Sequence, residues 1–218
     1  MAVLDPIKPT ILATRVIPNV DRALAAKLGL RDDQRSVALV TCDIDDSLYV
    51  SLDEATKMAD VEVVYAHSFY AGSAHSSGPL SGEIIGMLAA PNPAEARAGL
   101  AACIAYATEQ AWFQCADEAG DLAFFSHAIS RTGSYLSAEG GVPIGTSLAY
   151  LIAPPLEATF ALDAALKAAD VEVAVWFAPP SETNFSGGYL VGDQSAVVAA
   201  CAAFRDAVVS VAAAPREV

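Results

Sequence analysis

The chain has 218 residues, room for one large domain or two small ones, and 54% of them are apolar against 17% charged, a more apolar balance than an ordinary soluble domain carries. A formal net charge of -14 excludes phosphate-rich partners, because nucleic-acid binding rests on Lys and Arg releasing counterions; neither nucleic acid nor an acidic lipid surface is expected. Mean hydropathy is +0.40 and much of the apolar content is alanine, which reads equally as surface buried against further subunits and as the bias of a high-GC genome.

In chain order, Met1–Thr10 has neither a basic start nor a long apolar run, so no secretory signal and a cytoplasmic protein are expected. Thr10–Ile17 reads as a strand and Val20–Leu28 as a helix. Ser36–Thr41 is a short apolar run suited to a buried strand. Leu52–Met58 is rich in helix formers, and the Val61–Val63 that follows alternates with strand period. Pro91 and Pro93 open a helix from Ala94 to about Ala107, proline being tolerated in a first turn. Leu122–Ile129 and Ser147–Ile152 read as strands, Leu162–Ala168 as a helix leading into the strand at Val171–Val173, and Gln194–Ala213 as a final helix. The apolar stretch Ser195–Ala214 is broken by Arg205 and Asp206 and falls short of a clean span of about 20 residues. It predicts a packed helix, and no membrane partner. Cys42, Cys103, Cys115 and Cys201 lack C-x-x-C spacing and predict buried thiols.

An internal repeat organises these elements. Asp53–Val63 matches Asp163–Val173 at 8 of 11 positions with a constant offset of 110. Ser36–Val40 parallels Ser147–Leu151 more weakly, and Gly86–Ala89 parallels Gly188–Val191, so the first copy carries a longer insertion between Val64 and Ile85. Each copy reads as strand, helix, strand, loop, strand, helix. The boundary falls near Ala107–Trp112, dividing the chain into 1–108 and 109–218.

The helix-to-strand segments Lys57–Val63 and Lys167–Val173 resemble the signature of bacterial microcompartment shell domains. Asp53–Lys57, Pro91–Leu100, Ser130–Leu136, Ala153–Glu157 and Pro179–Asn184 extend the likeness to the L-type shell proteins of ethanolamine-utilisation compartments, over essentially the whole chain. The resemblance implies an α/β (α+β) fold: two tandem ferredoxin-like, circularly permuted shell domains, each a small, mostly antiparallel sheet flanked by helices. It further implies a homotrimer whose six domains mimic a hexamer, tiles with other shell proteins around enclosed enzymes, and pores for small molecules. Lys57 and Lys167 then fall on lattice edges. Repeated rims suit closed symmetry.

Asp43, Asp45 and Asp46 follow a strand, and taken alone they read as a solvated turn. The resemblance implies instead that Asp45 and Asp46 bind ethanolamine together with Glu83, Phe113, Thr183, Asn184 and Phe185. The chemistry is coherent: carboxylates accept the ammonium N–H groups, an aromatic face attracts the cation, and Thr or Asn meets the hydroxyl. Binding should be weak, since a pore that holds its cargo tightly does not conduct it.

The insertion at about 66–81, preceded by Tyr65 and carrying His67, Tyr70, Gly72, His75 and Gly78, reads as a surface loop; the resemblance makes it a loop around a central, gated pore. The three histidines lack H-E-x-x-H or comparable spacing. Family association with zinc makes His127, tripled by a threefold axis, the metal candidate; no cofactor is required, and zinc or a cobalamin near the pore is the association the family suggests. There is no G-x-S-x-G, phosphate loop or G-x-G-x-x-G, so no enzyme is expected. The rival readings are an oligomeric ligand sensor of ferredoxin-like fold and a lyase or deaminase subunit.

Overall fold

The computed structural model describes residues 1–69, 78–179 and 184–216. They form two compact units, one built from Lys8–Ala111 with Gly133–Leu136, the other from Met1–Ile7, Trp112–Thr132 and Ser137–Val218. The elements run β1 (Pro6–Ile7), β2 (Ile11–Ile17), α1 (Arg22–Lys27), β3 (Ser36–Cys42), α2 (Asp45–Met58), β4 (Glu62–Ser68), β5 (Ile84–Ala90) and α3 (Pro93–Glu109), then β6 (Phe113–Cys115), β7 (Ala123–Ile129), α4 (Ser134–Gly140), β8 (Leu148–Ala153), α5 (Pro155–Ala168), β9 (Val171–Phe177), β10 (Ser186–Gly192) and α6 (Gln194–Ala213).

The first unit holds a four-stranded antiparallel sheet in the order β2-β3-β5-β4. Its central strand, β3, is apolar and β-branched, as a strand buried on both faces requires, and pairs with β5 along its whole length from Ser36↔Ala90 to Cys42↔Ile84. Leu48, Leu52 and Ala55 of α2 and Ala96, Leu100 and Cys103 of α3 close one core over Ala38, Val40, Ile84 and Leu88. Asn92 caps α3 by accepting from the amides of Ala94 and Glu95, with Pro93 in the first turn. Small residues set the helix-to-sheet distance: a Cβ on Gly86 would meet Leu52 at 2.7 Å.

The second unit repeats the arrangement. Within its six-stranded sheet, β1-β6-β7-β8-β10-β9, the last four strands follow the order of β2-β3-β5-β4. Even the register irregularity recurs, between Val63 and Tyr65 on the first edge strand and opposite Tyr189 and Leu190 in the second sheet, a bulge that blunts an exposed edge. The segments between the first two strands of each copy share a hydrogen-bond skeleton. Ser36 Oγ donates to Pro18 O at 2.7 Å and Ser147 Oγ to Ser130 O at 2.8 Å. Val20 N donates to Arg35 O and Thr132 N to Thr146 O, both at 2.9 Å, while Leu30 N bonds Ala25 O as Val142 N bonds Ser137 O. Asp21 therefore corresponds to Gly133 and Leu24 to Leu136.

α6 is long and apolar enough to cross a membrane, but Val197, Ala200, Cys201, Phe204, Ala207 and Val208 line one side of it and pack into the core with α5, Phe124, Leu151 and Leu190. All four cysteines are free and buried; burial pushes the Cys42 thiol up to about 12 and that of Cys201 to about 11. Three elements were not legible in the sequence: β1, β6 and α4. The first two are only 2 and 3 residues long, below the length at which periodicity is readable.

Candidate functional site

The acidic run at the end of β3 is not a solvated turn. α2 begins at Asp45 rather than near Leu52, so Asp45 and Asp46 occupy its first turn, where the unpaired amides and the helix dipole favour carboxylates. Asp45 Oδ1 accepts from the amide of Asp46 at 2.9 Å, and the two residues are only 7% and 8% exposed. Asp43 stays outside the helix, its Oδ1 accepting from the amide of Thr10 at 2.6 Å.

Glu83 reaches this place by a backbone route. Gly82 has φ +64°, and a Cβ there would lie 2.0 Å from the carbonyl oxygen of Cys42, so only glycine lets the chain pass. The next amide, Glu83 N, donates to that same carbonyl at 2.8 Å, and Glu83 O accepts from Phe69 N at 2.9 Å. Partial burial first, then the charges of Asp45 and Asp43, raise the Glu83 carboxyl above the usual range. These like charges, gathered at one strand end, favour a small cation.

Tyr49, one turn into α2, ties the end of β4 to the same region. Its hydroxyl accepts from the amide of Ser68 at 2.9 Å and lies 2.7 Å from Ser68 Oγ, and its ring stacks on Tyr135 at 6.2 Å. Burial raises the phenol, hydrogen bonding to Ser68 opposes it, and Asp45 and Asp46 add to it. Sequence reading missed Tyr49; its place one turn beyond Asp45 on a helix was invisible while the helix was expected to start near Leu52. His67 is likewise not a loop residue: β4 continues to Ser68, with His67↔Ile85 and Ser68↔Ile84 in register, because the ladder to β5 and the Tyr49 hydroxyl hold it. Its ring lies 6.2 Å from that of Tyr65. Gly78 forms a tight turn with Ser81. Tyr70, Gly72, His75 and Thr183 lie outside the described residues.

In the second unit, Phe113 on β6 packs 5.2 Å from Phe125 and meets Phe185 edge-on at 6.0 Å, while Asn184 takes a left-handed φ of +63°. The aromatic group continues through Tyr150, Tyr189 and Phe177. These residues were unremarked in the sequence, yet each alternates with a core residue (Phe124 beside Phe125, Leu151 beside Tyr150, Leu190 beside Tyr189) and period two assigns it to the opposite face. His127 stacks on Phe125 at 5.4 Å, and among the described residues no group of three His, Cys, Asp or Glu side chains is placed to hold a metal. Lys57 Nζ pairs with Glu54 at 2.5 Å and Asp53 at 3.6 Å, and Lys167 Nζ with Asp163 at 2.6 Å.

No protein-family model matches the chain. It is 53% identical over 215 residues to the bacterial microcompartment shell protein EutL of Escherichia coli, covering 99% of this chain and 98% of that one. The crystal structure of ethanolamine utilization protein EutL from Leptotrichia buccalis superposes with a TM-score of 0.96 at 52% identity, covering all of both chains. That of EutL from Clostridium perfringens gives 0.94 at 51%, covering 98% of this chain and 97% of that one.

Proposed function

The chain belongs to the EutL family of bacterial microcompartment shell proteins, and from that membership we propose that it forms a trimeric, pseudohexameric tile whose carboxylates at the start of α2 bind ethanolamine and pass it across the shell. As a family member it is a structural component of a microcompartment shell in the cytoplasm, assembled with other shell proteins, and not an enzyme. Its fold is the expected pair of permuted α+β shell domains. We place the division between the two domains near 108/109, while Met1–Ile7 clusters with the second compact unit and Gly133–Leu136 with the first.

The observation that supports the ligand proposal is the Gly82 passage, which seats Glu83 N on the Cys42 carbonyl just ahead of Asp43 and of Asp45 and Asp46 in the first turn of α2. Ethanolamine at neutral pH is a primary ammonium bearing a hydroxyl, and an ammonium beside Glu83 offsets the burial and the like charges of Asp45 and Asp43 that raise its carboxyl. Asp45 and Asp46 share that charge; Phe113, Thr183, Asn184 and Phe185 remain its proposed companions in recognition. The insertion at about 66–81, with Tyr70, Gly72, His75 and Gly78, is the proposed central-pore loop, entered from the end of β4 where His67 stands, and Lys57 and Lys167 are the proposed lattice edges. His127 offers one zinc ligand per chain, which only a threefold axis multiplies; no step of transport requires zinc or a cobalamin.

Titration calorimetry with ethanolamine tests the reading. A charge-assisted hydrogen bond contributes about 1.5–3 kcal/mol, so Glu83→Ala should weaken binding roughly 10- to 100-fold. Unchanged affinity removes Glu83 from the site. Hexagonal sheets in negative-stain micrographs of the purified protein test the tile.

A further inference from the structure

We propose that in a sheet of tiles the edge carrying Met58 meets the edge carrying Ala168 of the neighbouring tile, the long side chain seating against the short one. The proposal rests on the reading of the chain as a trimeric tile with lattice edges at Lys57 and Lys167, and deepens it by naming which edge binds which.

The two edges are built alike. α2 and α5 both have 14 residues and both end on an alanine in extended conformation, Ala59 at φ -148° and ψ 163° and Ala169 at φ -145° and ψ 155°. The turn that follows is the same: Val61 N donates to Ala59 O at 2.9 Å and Val171 N to Ala169 O at 3.0 Å. Exposure repeats residue by residue, with Lys57, Met58 and Asp60 exposed around a half-buried Ala59, and Lys167, Ala168 and Asp170 exposed around a half-buried Ala169. From Lys57 to Val63 the two copies differ only at Met58 against Ala168. Met58 is 66% exposed on a segment whose twin does without it, so the helix end does not need that side chain to fold.

Symmetry fixes how such edges meet. A threefold tile of two-domain chains carries the two kinds of edge alternately, so opposite edges of one tile are unlike. Tiles that repeat by translation present opposite edges to each other and pair unlike edges throughout. Pairing like edges would require every neighbour to be turned by one edge, and three mutually adjacent tiles cannot all be turned relative to one another. A contact between unlike surfaces that does not close extends instead. At such a seam two methionines would crowd and two alanines would leave a gap, whereas one of each fills the space, and the unbranched thioether adapts to the shape it meets. The lysines do not oppose the approach, because within each chain Lys57 is paired with Glu54 and Asp53, and Lys167 with Asp163.

The test uses two single variants at these exposed positions, Met58→Cys and Ala168→Cys; the four native thiols are buried. Sheets grown from an equal mixture of the two trimers, verified in micrographs and treated with a short bis-maleimide, should give two-chain bands on denaturing gels. Sheets of either variant alone, and the same mixture diluted until no sheets form, should give none. Sheets whose bands come from a single variant, or whose mixture gives no band, overturn the proposal and leave the tile standing. Ala168→Met should raise the protein concentration at which sheets pellet at least about tenfold, with the trimer mass by light scattering unchanged. Adding Met58→Ala to it should bring that concentration back to within about threefold of wild type, and no recovery overturns the proposal. Wild-type trimers that form no sheet, or a single-chain mass at high concentration, overturn the tile reading and this proposal with it.

Discussion

Asp53 is the residue whose removal the structure prices most directly. Its carboxylate is 1% exposed, yet accepts from two buried amides, Gly133 and Leu136. Each buried N–H left without an acceptor costs about 1–3 kcal/mol, so Asp53→Ala exposes the fold to a loss of roughly 2–6 kcal/mol. Part is offset, because burial chiefly raises the Asp53 carboxyl above its usual range, against the lowering effect of the two amides and Lys57; the charge is held at a desolvation cost that the variant no longer bears. The expected net loss is about 3 kcal/mol, or roughly 6–12 °C in Tm for a chain of this length. Asp53→Asn keeps one acceptor oxygen and should lose about half as much. Thermal unfolding followed by circular dichroism measures both, and amide hydrogen exchange localises the effect: Gly133 and Leu136 should lose protection at least about tenfold. Because the folded-state pKa is raised, wild-type stability relative to Asp53→Asn should decline as pH rises from the ordinary Asp value through the raised one, then level off. A Tm within about 1 °C of wild type in Asp53→Ala, with both amides still protected, would refute the reasoning.

Three further outcomes follow from the same geometry. Ethanolamine affinity should fall as pH drops through the raised ionisation of Glu83, since the protonated acid no longer attracts an ammonium, and calorimetry across that range should find Glu83→Gln nearly flat. Gly82→Ala should destabilise the fold and weaken ethanolamine binding together, because its Cβ meets the Cys42 carbonyl at 2.0 Å in a left-handed conformation that costs an L-residue about 1–2 kcal/mol before any clash; chemical denaturation and calorimetry on one preparation show both. Leu52→Ala opens a cavity in the first unit's core, where Leu52 is fully buried against Gly86, and should cost about 2–5 kcal/mol in urea unfolding.

Much of this architecture was legible before any coordinates. α6 runs Gln194–Ala213 as its apolar periodicity requires, and β3, β7 and β8 fall within a residue or so of their expected bounds, since buried strands carry their pattern locally. The start of α2 was not legible, because acidic residues after a strand suit a turn as well as a helix N-terminus, and the dipole and the packing of Leu48 decide between them. The extension of β4 through His67 escaped for a similar reason: its support comes from Ile84, Ile85 and Tyr49, not from its own sequence.

The repeat is what the amino-acid order determined alone, because self-similarity and strand or helix period are properties of neighbours along the chain. Asp53 and Asp163 sit in near-identical words of that order, and nothing local distinguishes them. Only the fold made one a buried acceptor and left the other on the surface, because the amides that bind Asp53 come from residues 80 and 83 positions away. The same holds for Glu83, whose backbone reaches the Cys42 carbonyl at the end of β3 only because a glycine lets two backbone segments approach within hydrogen-bond reach: burial and charge proximity belong to contacts in space, which local sequence pattern does not carry.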